Sequence, residues 1–279
     1  MKKCDKFYRM VASDLDGTLL GLDQRASREN LDAIREISER GVEFVPATGR
    51  CLGEMPKDVL ECPDVRYIIS SDGAAVWDKR EGRVTLSRYI PADLVKFVLK
   101  VTGEYKTFPM VHEGGEAYYD KARYTKEHMD LTRVNNYFRD LIVRTNIGLD
   151  DFDAYLCASD KVELFCIFFS DDEDLRECAD IMLKTGRLSV AQSAPHNLEI
   201  YSIDGGKGNT LKALAEQLSM DISEVIAVGD STNDSSLVGA AGLGLAVENA
   251  CPELKEIADE VICHFSEHSA KYILENYIK

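Results

Sequence analysis

Short apolar runs alternate with helical patterns near the start of this chain, and this alternation constrains the fold more than any other feature. A buried-strand pattern over residues 8–13 precedes an amphipathic helix over residues 27–40, for which Ser27 is the predicted N-cap. Residues 44–47 and 67–70 have the composition of further strands. Strands joined by helices of this length predict a parallel sheet with crossover connections.

The same alternation returns in the last third of the chain. It predicts strands over residues 197–201, 225–228, 244–247 and 260–263, and helices over residues 209–218 and 234–241. The middle of the chain is mixed, with helices predicted at residues 91–102 and 172–184, a strand at 162–169 and a Gly/Tyr-rich loop at 112–124. We therefore predict a discontinuous, Rossmann-like α/β core over residues 1–84 and 189–279, interrupted by an inserted α+β cap domain over residues 85–188.

The charge of the chain limits its partners. With 49 acidic and 33 basic residues, the formal net charge is -16. Proteins that bind nucleic acids or anionic membrane surfaces need an excess of Lys and Arg, which this chain lacks, so neither is an expected partner. The same charge repels phosphorylated metabolites unless a cation or a cluster of donors reverses the local field.

Cysteine usage and hydropathy indicate the compartment. The eight cysteines are scattered and form no C-x-x-C pair, which is typical of reduced thiols rather than of a disulfide framework. No stretch approaches the ~20 apolar residues of a membrane span, and the first ten residues lack the apolar run of a signal peptide. The expected compartment is the cytoplasm.

The sequence D-L-D-G-T at residues 14–18 directly follows the first predicted strand. In open α/β sheets the ligand crevice lies at the carboxyl ends of the strands. Two carboxylates one residue apart in a tight turn can serve one reaction centre in two roles. Asp14 could act as nucleophile and metal ligand, and Asp16 as acid and base. Taken alone, the same string also fits a solvated Asp-Gly turn.

Three further polar strings follow predicted strands. Thr48 and Gly49 offer a hydroxyl and an unhindered N–H to phosphate oxygens. Lys207 lies near a helix N-terminus, where an anion is favoured, although Gly208 in place of Ser or Thr excludes a P-loop. The sequence G-D-S-T-N-D at residues 229–234 supplies the hard oxygen ligands that Mg²⁺ prefers. Each string alone fits an ordinary turn or cap, but together they meet at one sheet edge.

In this order, D-L-D-G-T, T-G-R, the Lys207 segment and G-D-S-T-N-D resemble motifs one to four of the haloacid dehalogenase superfamily. The insertion between motifs two and three resembles the large cap of the Cof-type phosphatases. The chain departs from the family in one visible place. It has Asp72-Gly73-Ala74 where the family commonly has Asn-Gly-Ala, which puts an expected amide contact in doubt.

The resemblance implies a role for each motif residue. Asp14 would attack phosphorus to form an aspartyl-phosphate, and Asp16 would protonate the leaving alkoxide and then accept a proton from water. Mg²⁺ would be held by Asp14, Asp230 and the main-chain carbonyl of Asp16. Asp234 would orient Lys207 or a metal-bound water. The phosphoryl oxygens would be held by Leu15 (through its backbone N–H), Thr48, Gly49, Lys207 and Asn233.

The expected activity is hydrolysis of small phosphorylated metabolites, such as sugar phosphates or phosphorylated cofactors. A phosphomutase on the same scaffold and a non-catalytic regulatory protein that binds phosphometabolites are the alternatives. The presence of both Asp14 and Asp16 disfavours the second of these. Arg50, Tyr118 and Arg123 are candidate substrate contacts, and a large cap that shields its own site favours a monomer.

Overall fold

The secondary structure of the protein, seen in a computed structural model that describes residues 7–279, mixes strands and helices throughout. The strands are β1 (Met10–Ser13), β2 (Glu43–Pro46), β3 (Tyr67–Ser70), β4 (Ala75–Asp78), β5 (Arg83–Ser87), β6 (Thr107–Glu113), β7 (Glu116–Asp120), β8 (Ile147–Leu149), β9 (Val162–Phe169), β10 (Leu188–Ala191), β11 (Asn197–Ser202), β12 (Val225–Gly229), β13 (Leu243–Ala246) and β14 (Glu260–Val261). The helices are α1 (Arg28–Glu39), α2 (Lys57–Leu60), α3 (Ala92–Thr102), α4 (Lys126–Leu131), α5 (Asn136–Thr145), α6 (Phe152–Ala158), α7 (Asp172–Lys184), α8 (Lys207–Gln217), α9 (Ser235–Ala240), α10 (Pro252–Ile257) and α11 (Ser269–Tyr277). Across the described range, none of these helices combines the length and the apolar character needed to cross a membrane.

The described chain divides into two compact units, and each is discontinuous in sequence. The first unit contains the described residues up to Gly49, together with Met55–Ser87 and Gly206–Lys279. The second contains Arg50–Glu54 and Arg88–Gly205. The predicted fold class, a discontinuous α/β core with an inserted α+β domain, is confirmed.

The first unit is built on a five-stranded parallel sheet with the order β14-β13-β12-β1-β2. Ser13 at the end of β1 lies opposite Val228 on one neighbour and Pro46 on the other. The carboxyl ends of three strands therefore meet at one edge. A buried apolar cluster covers one face of the sheet and includes Met10, Ala12, Val45, Leu211, Leu214 and Ala227.

Helix α1 follows the local signals that predict it. The Ser27 side chain accepts a hydrogen bond from the backbone N–H of Asn30, which satisfies one of the free donors at the helix start. Ala33, Ile34 and Ile37 are buried along one stripe. Asn30 is also buried, and its amide donates to the carbonyl of Leu19 over 2.9 Å. The helix is thereby fastened to the chain that follows β1.

A small antiparallel sheet, β3-β4-β5, extends the first unit. A single parallel bridge between Ala47 and Ile69 joins β3 to the end of β2. The backbone N–H of Thr48 donates to Ile69, and that of Asp72 donates to Thr48. The turn after β3 is therefore held directly beside the residues that follow β2.

The second unit has a six-stranded sheet with the order β10-β11-β9-β6-β7-β8, antiparallel except for the pair β7 and β8. All eight residues of β9 are buried. Their apolar side chains pack against helices α3, α6 and α7 on one side and against α4 and α5 on the other. The first of these clusters includes Val95, Val98, Leu156, Phe165, Cys178 and Met182, and the second includes Phe108, Met110, Met129, Ile142 and Phe168.

The prediction of a Gly/Tyr-rich loop at residues 112–124 is wrong, because most of this segment forms a β-hairpin of β6 and β7. Gly114 and Gly115 both have positive φ, 61° and 89°, and form its two-residue turn. Val111 opposite Tyr118 and Met110 opposite Tyr119 form cross-strand pairs. Composition indicated a loop, whereas pairing with the buried strand β9 decides the structure.

The strand predicted at residues 197–201 exists, but it is β11 and belongs to the second unit. It pairs antiparallel with β9 and β10, and its Leu198 and Ile200 enter the apolar cluster of that unit. The second unit therefore extends to Gly205, beyond the boundary expected at residue 188. The cysteines of the described residues are free thiols, as expected, and Cys4 lies outside them.

A partly buried ion pair beside the small sheet, between Arg66 and the buried Asp78, provides a test of the fold. The Asp78 carboxylate accepts from the Arg66 guanidinium at 2.7 Å and from the backbone N–H groups of Arg80 and Glu81. The Arg66 hydrogen bonds hold the pKa of Asp78 below its usual value, against the effect of burial. We expect Asp78→Asn to lower the free energy of unfolding by about 2 kcal/mol in urea melts at pH 7.

The pH dependence and a surface control complete this test. Because the folded pKa of Asp78 is depressed, the loss should persist down to about pH 4, where the unfolded carboxyl titrates, and shrink only below it. Glu36→Gln, at an exposed ion pair with Arg40, should cost less than about 0.5 kcal/mol. Equal losses in the two variants would contradict the prediction.

Candidate active site

The loop after β1 carries the two carboxylates that the sequence singles out. Asp14 continues the parallel pairing, because its backbone N–H donates to the carbonyl of Val228 over 3.0 Å. The Asp14 side chain is buried, Leu15 is fully buried, and Asp16 is half-buried. The sheet edge thus fixes Asp14 and leaves Asp16 more open to solvent.

Gly17 allows the first loop to approach Asp230 closely. Its φ of +75° lies in the left-handed region, and a Cβ at this position would lie 2.4 Å from Oδ2 of Asp230. The side-chain amide of Asn249, beyond β13, donates to the Gly17 carbonyl over 2.8 Å. Sequence reasoning missed Asn249, for which the only signal is its place after a neighbouring strand of the same sheet.

Lys207 is buried between two carboxylates at the start of α8. Its Nζ lies 2.8 Å from Oδ1 of Asp14 and 2.7 Å from Oδ1 of Asp234, and its side chain has no solvent exposure. The other oxygen of Asp234 accepts from the backbone N–H groups of Asp230 and Ser231, at 3.1 and 3.2 Å. Asp234 therefore orients both Lys207 and the loop after β12.

The turn after β3 contacts the residues on either side of Lys207 and so fixes its position. A Cβ on Gly73 would lie 2.5 Å from the carbonyl of Gly206, so the two backbones touch only because residue 73 is glycine. The Thr210 hydroxyl donates to the Gly73 carbonyl over 2.6 Å. These contacts place the first turn of α8 against the residues that follow β2 and β3.

Asp72, the residue that departs from the family pattern, lies among the proposed phosphate contacts. It is buried, with φ +50°, and its Oδ1 is 3.5 Å from the side-chain nitrogen of Asn233. A Cβ on Gly49 would lie 3.3 Å from the same oxygen. Its Oδ2 has no hydrogen-bond partner within residues 7–279. A carboxylate therefore occupies the position where an amide is common.

The electrostatics of this cluster follow from burial and crowding. Burial, with the charge of Asp234, raises the pKa of Asp14 well above its usual value, and Lys207 acts in the opposite direction. Burial and Asp234 likewise raise the pKa of Asp230 to about 7. Burial alone would lower the pKa of Lys207, but Asp14 and Asp234 raise it well above 10.5. Lys207 is thus a permanent cation that does not balance the surrounding carboxylates.

The donor set fits a divalent cation. Carboxylate oxygens of Asp14, Asp230 and Asp234 all lie within 4.8 Å of one another. Hard oxygen ligands suit Mg²⁺, and a bound cation would offset the burial and the mutual repulsion that raise the pKa values of Asp14 and Asp230. Because the Asp234 oxygens already accept from Lys207 and the backbone, Asp14 and Asp230 are the side chains best placed to bind a metal.

The three candidate substrate contacts lie in the second unit, and each has a partner there. Arg50 is buried and donates to the carbonyl of Glu54 and to the Tyr137 hydroxyl. The Tyr118 ring lies 5.2 Å from that of Tyr155. Arg123 pairs with Asp120 at 3.0 Å and donates to Thr107. Their assignment to substrate stays a prediction.

Comparison with known proteins agrees with the motifs. A sequence profile of haloacid dehalogenase-like hydrolases matches residues 11–274. Phosphatase YwpJ of Bacillus subtilis (strain 168) is 28% identical over 97% of this chain and 100% of its own length. The HMP-PP phosphatase of Yersinia pseudotuberculosis serotype I (strain IP32953) is 30% identical over 89% of this chain and 87% of its own. The solved structure of a haloacid dehalogenase-like hydrolase from B. subtilis aligns with a TM-score of 0.82 and 29% identity, covering 97% of this chain and 100% of that one.

These likenesses extend over nearly the whole chain and include both units. The chain belongs to the haloacid dehalogenase-like hydrolase family, and it is an enzyme of the phosphatase class found among those relatives. The resemblance inferred from the four motifs is thereby confirmed.

The close approach of Gly73 to Gly206 can be tested with a matched pair of variants. Gly73→Ala should destabilise the protein by about 3 kcal/mol, because the methyl group combines left-handed strain with a backbone clash. Gly82 also has a positive φ, but nothing lies within 4 Å of its added Cβ, so Gly82→Ala should cost about 1 kcal/mol. Thermal melts of both variants measure the difference, and equal melting temperatures would argue against the contact.

Proposed function

We propose that this protein is a Mg²⁺-dependent phosphatase that hydrolyses small phosphorylated metabolites through an aspartyl-phosphate on Asp14. One observation carries the proposal: the Lys207 ammonium bridges the nucleophile Asp14 and Asp234 within a buried cluster that includes Asp230. The order of the motifs and the phosphatase relatives support the same activity.

Asp14 and Asp16 would divide the chemistry between them. An oxygen of Asp14 would attack phosphorus, the phosphorus–oxygen ester bond would break, and the leaving alkoxide would take the proton of Asp16. Water would then attack the aspartyl-phosphate and give its proton to Asp16, which releases inorganic phosphate and restores Asp14. The partial exposure of Asp16 is consistent with proton exchange at this position.

Lys207 has a distinct part in this scheme. Its ammonium is held 2.8 Å from Asp14 and stays charged, so it favours the carboxylate form that a nucleophile needs. As the phosphoryl group transfers, the same cation would balance negative charge on the phosphoryl oxygens, together with the backbone N–H of Leu15, Thr48, Gly49 and Asn233.

The requirement for a divalent cation follows from the charges in the cluster. Two like charges at ~4 Å repel by about 4 kcal/mol at an effective dielectric constant near 20, and the substrate brings a phosphate dianion. Bound Mg²⁺ would offset this repulsion and polarise the phosphoryl group. Lys207 interacts electrostatically with Asp14, Asp72 and Asp234, and Asp16 and Asp230 in turn repel Asp14, so carboxylates outnumber the lysine in the described cluster.

The proposed substrates are sugar phosphates or phosphorylated cofactors. The HMP-PP phosphatase among the relatives supports a phosphorylated small molecule as the substrate class. Arg50, Tyr118 and Arg123 remain the proposed contacts to the leaving group. Tyr118 and Arg123 are candidates from the inserted segment, and Arg50 directly follows the proposed phosphate contacts Thr48 and Gly49.

The first experiment measures phosphate release from a panel of phosphorylated metabolites with Mg²⁺. We expect hydrolysis by the wild type, loss of activity in excess chelator, recovery with added Mg²⁺, and a decrease in kcat of at least ~10³-fold in Asp14→Asn. Circular dichroism of the variant controls for folding. Undiminished turnover in chelator would refute the metal requirement, and formation of an isomerised phosphate without free phosphate would identify a mutase instead.

A second experiment measures the effect of the unusual carboxylate. Asp72→Asn removes one negative charge beside Asn233, so orthovanadate or inorganic phosphate should inhibit about tenfold more strongly, corresponding to ~1.4 kcal/mol. Asp32→Asn on the exposed face of α1 is the charge-matched control and should leave the inhibition constant unchanged. An inhibition constant for Asp72→Asn equal to that of the control would mean that Asp72 does not act on the bound anion.

A further inference from the structure

A second cluster of side chains that could hold a metal ion lies in the second unit. It shares no residue with the carboxylate cluster described above. It consists of Cys51, Glu54 and His112, whose Sγ, carboxylate oxygen and imidazole nitrogen all lie within 4.8 Å of one another. The three residues are exposed by 0%, 6% and 6%. Nothing in the proposed phosphatase chemistry uses them.

The backbone brings these residues together by specific contacts. Cys51 and Glu54 belong to the short segment Arg50–Glu54, in which the N–H of Gly53 donates to the carbonyl of Gly115 over 2.8 Å. A Cβ on Gly53 would lie 2.5 Å from the carboxylate of the exposed Glu116 side chain and 3.5 Å from the Gly115 carbonyl, so the segment packs closely against the β6–β7 hairpin. The segment therefore lies directly against the end of β6.

His112 reaches the cluster at an irregularity of the sheet. The register between β6 and β9 shifts between His112 and Glu113, which is the signature of a bulge. Bulges commonly redirect a side chain near the end of a strand. The His112 Nε2 lies 3.3 Å from Oε2 of Glu54, so the redirected ring meets the segment that carries Cys51.

The separation of the donor atoms matches a tetrahedral metal site. With zinc–nitrogen and zinc–oxygen distances of about 2.1 Å, two ligands at the tetrahedral angle are about 3.4 Å apart. The Glu54 and His112 atoms are 3.3 Å apart, close to that value. No two of the three donor atoms, Cys51 Sγ included, are more than 4.8 Å apart. A single ion can therefore contact all three after small rotations of the side chains.

Charge balance favours a divalent ion at this buried position. A Cys51 thiolate and a Glu54 carboxylate supply two negative charges, and a neutral His112 supplies none, so an ion of charge +2 gives a neutral centre. Two further charged groups act on the cluster and oppose each other: Arg50 acts on Glu54, and Glu163 acts on Cys51.

We propose that Cys51, Glu54 and His112 bind a zinc ion. Sulfur and imidazole are ligands that zinc accepts readily and that Mg²⁺ avoids, so the mixed donor set selects against the ion proposed for the catalytic cluster. On binding, the Cys51 thiol would release its proton to solvent, and a water molecule would complete the tetrahedron. Bound zinc would fasten the segment Arg50–Glu54, which directly follows Thr48 and Gly49 in the chain, to β6.

Cobalt spectroscopy of the full-length wild type tests the proposal directly. Co²⁺ is added in the presence of excess Mg²⁺, which occupies an all-oxygen site, and the absorption spectrum is recorded. A thiolate ligand gives a sulfur-to-cobalt charge-transfer band, whereas a carboxylate site gives none. We expect the band to saturate at one equivalent of Co²⁺ and to disappear when Zn²⁺ is added. Absence of the band would overturn the proposal and would leave Glu54 and His112 as a metal-free ion pair.

Matched variants assign the ligands. Zinc affinity, measured by competition with a chelating dye, should fall by ~100-fold in Cys51→Ser and in His112→Gln, since each removes about a quarter of the binding free energy of a structural zinc. Cys178→Ser changes another fully buried cysteine of the same unit, and His196→Gln changes a histidine that pairs with Asp172. Both controls should keep the wild-type affinity, and equal losses in ligand and control variants would overturn the assignment.

Two outcomes separate this inference from the proposed phosphatase activity. If a ligand variant fails to fold, the cobalt band of the wild type still decides the question, because it requires no substitution. If the wild type shows the band but no phosphate release, the zinc site stands and the proposed activity fails. Asp14→Asn should leave the band unchanged, because Asp14 belongs to the other cluster.

Discussion

The buried ammonium of Lys207 is the contact on which the first unit depends. Its two carboxylate partners come from the loops after β1 and β12, while the lysine itself begins α8, so one cation joins three distant parts of the sequence. Removing one member of such a pair leaves an uncompensated charge in the interior, at a cost of about 3–5 kcal/mol. The parallel sheet makes the contact geometrically available, and the contact in turn fixes where the loops of that sheet edge lie.

Much of the first unit and of the catalytic cluster could be predicted from the sequence, because the signals are local and strong. Ser27 and the apolar stripe behind it specify α1, and the apolar runs before Asp14 and Asp230 specify two parallel strands. Parallel strands have their carboxyl ends on the same edge, so position along the chain converts into proximity in space. Lys207 follows β11, a strand of the other unit, so the sheet pattern does not predict its position. The resemblance of its segment to the third family motif does.

The remaining features depend on contacts that a single sequence does not express. The β6–β7 hairpin has a loop-like composition and becomes sheet because β9 offers a buried partner strand. β11 has the same apolar character as a core strand, and only its pairing reveals the unit to which it belongs. Asn249 acts through one hydrogen bond to a backbone carbonyl, and Arg50 is occupied by Glu54 and Tyr137. None of these contacts produces a periodic pattern in the sequence.

The assignment of Arg50–Glu54 to the second unit has a consequence for modularity. The covalent chain changes unit four times, after Gly49, Glu54, Ser87 and Gly205, instead of the two times expected of a simple insertion. A recombination event that exchanged residues 88–205 as one cassette would separate the β6–β7 hairpin from the pentapeptide that fits it. A side chain at position 53 would displace the Glu116 carboxylate, so changes in the hairpin are linked to a short stretch of sequence outside residues 88–205.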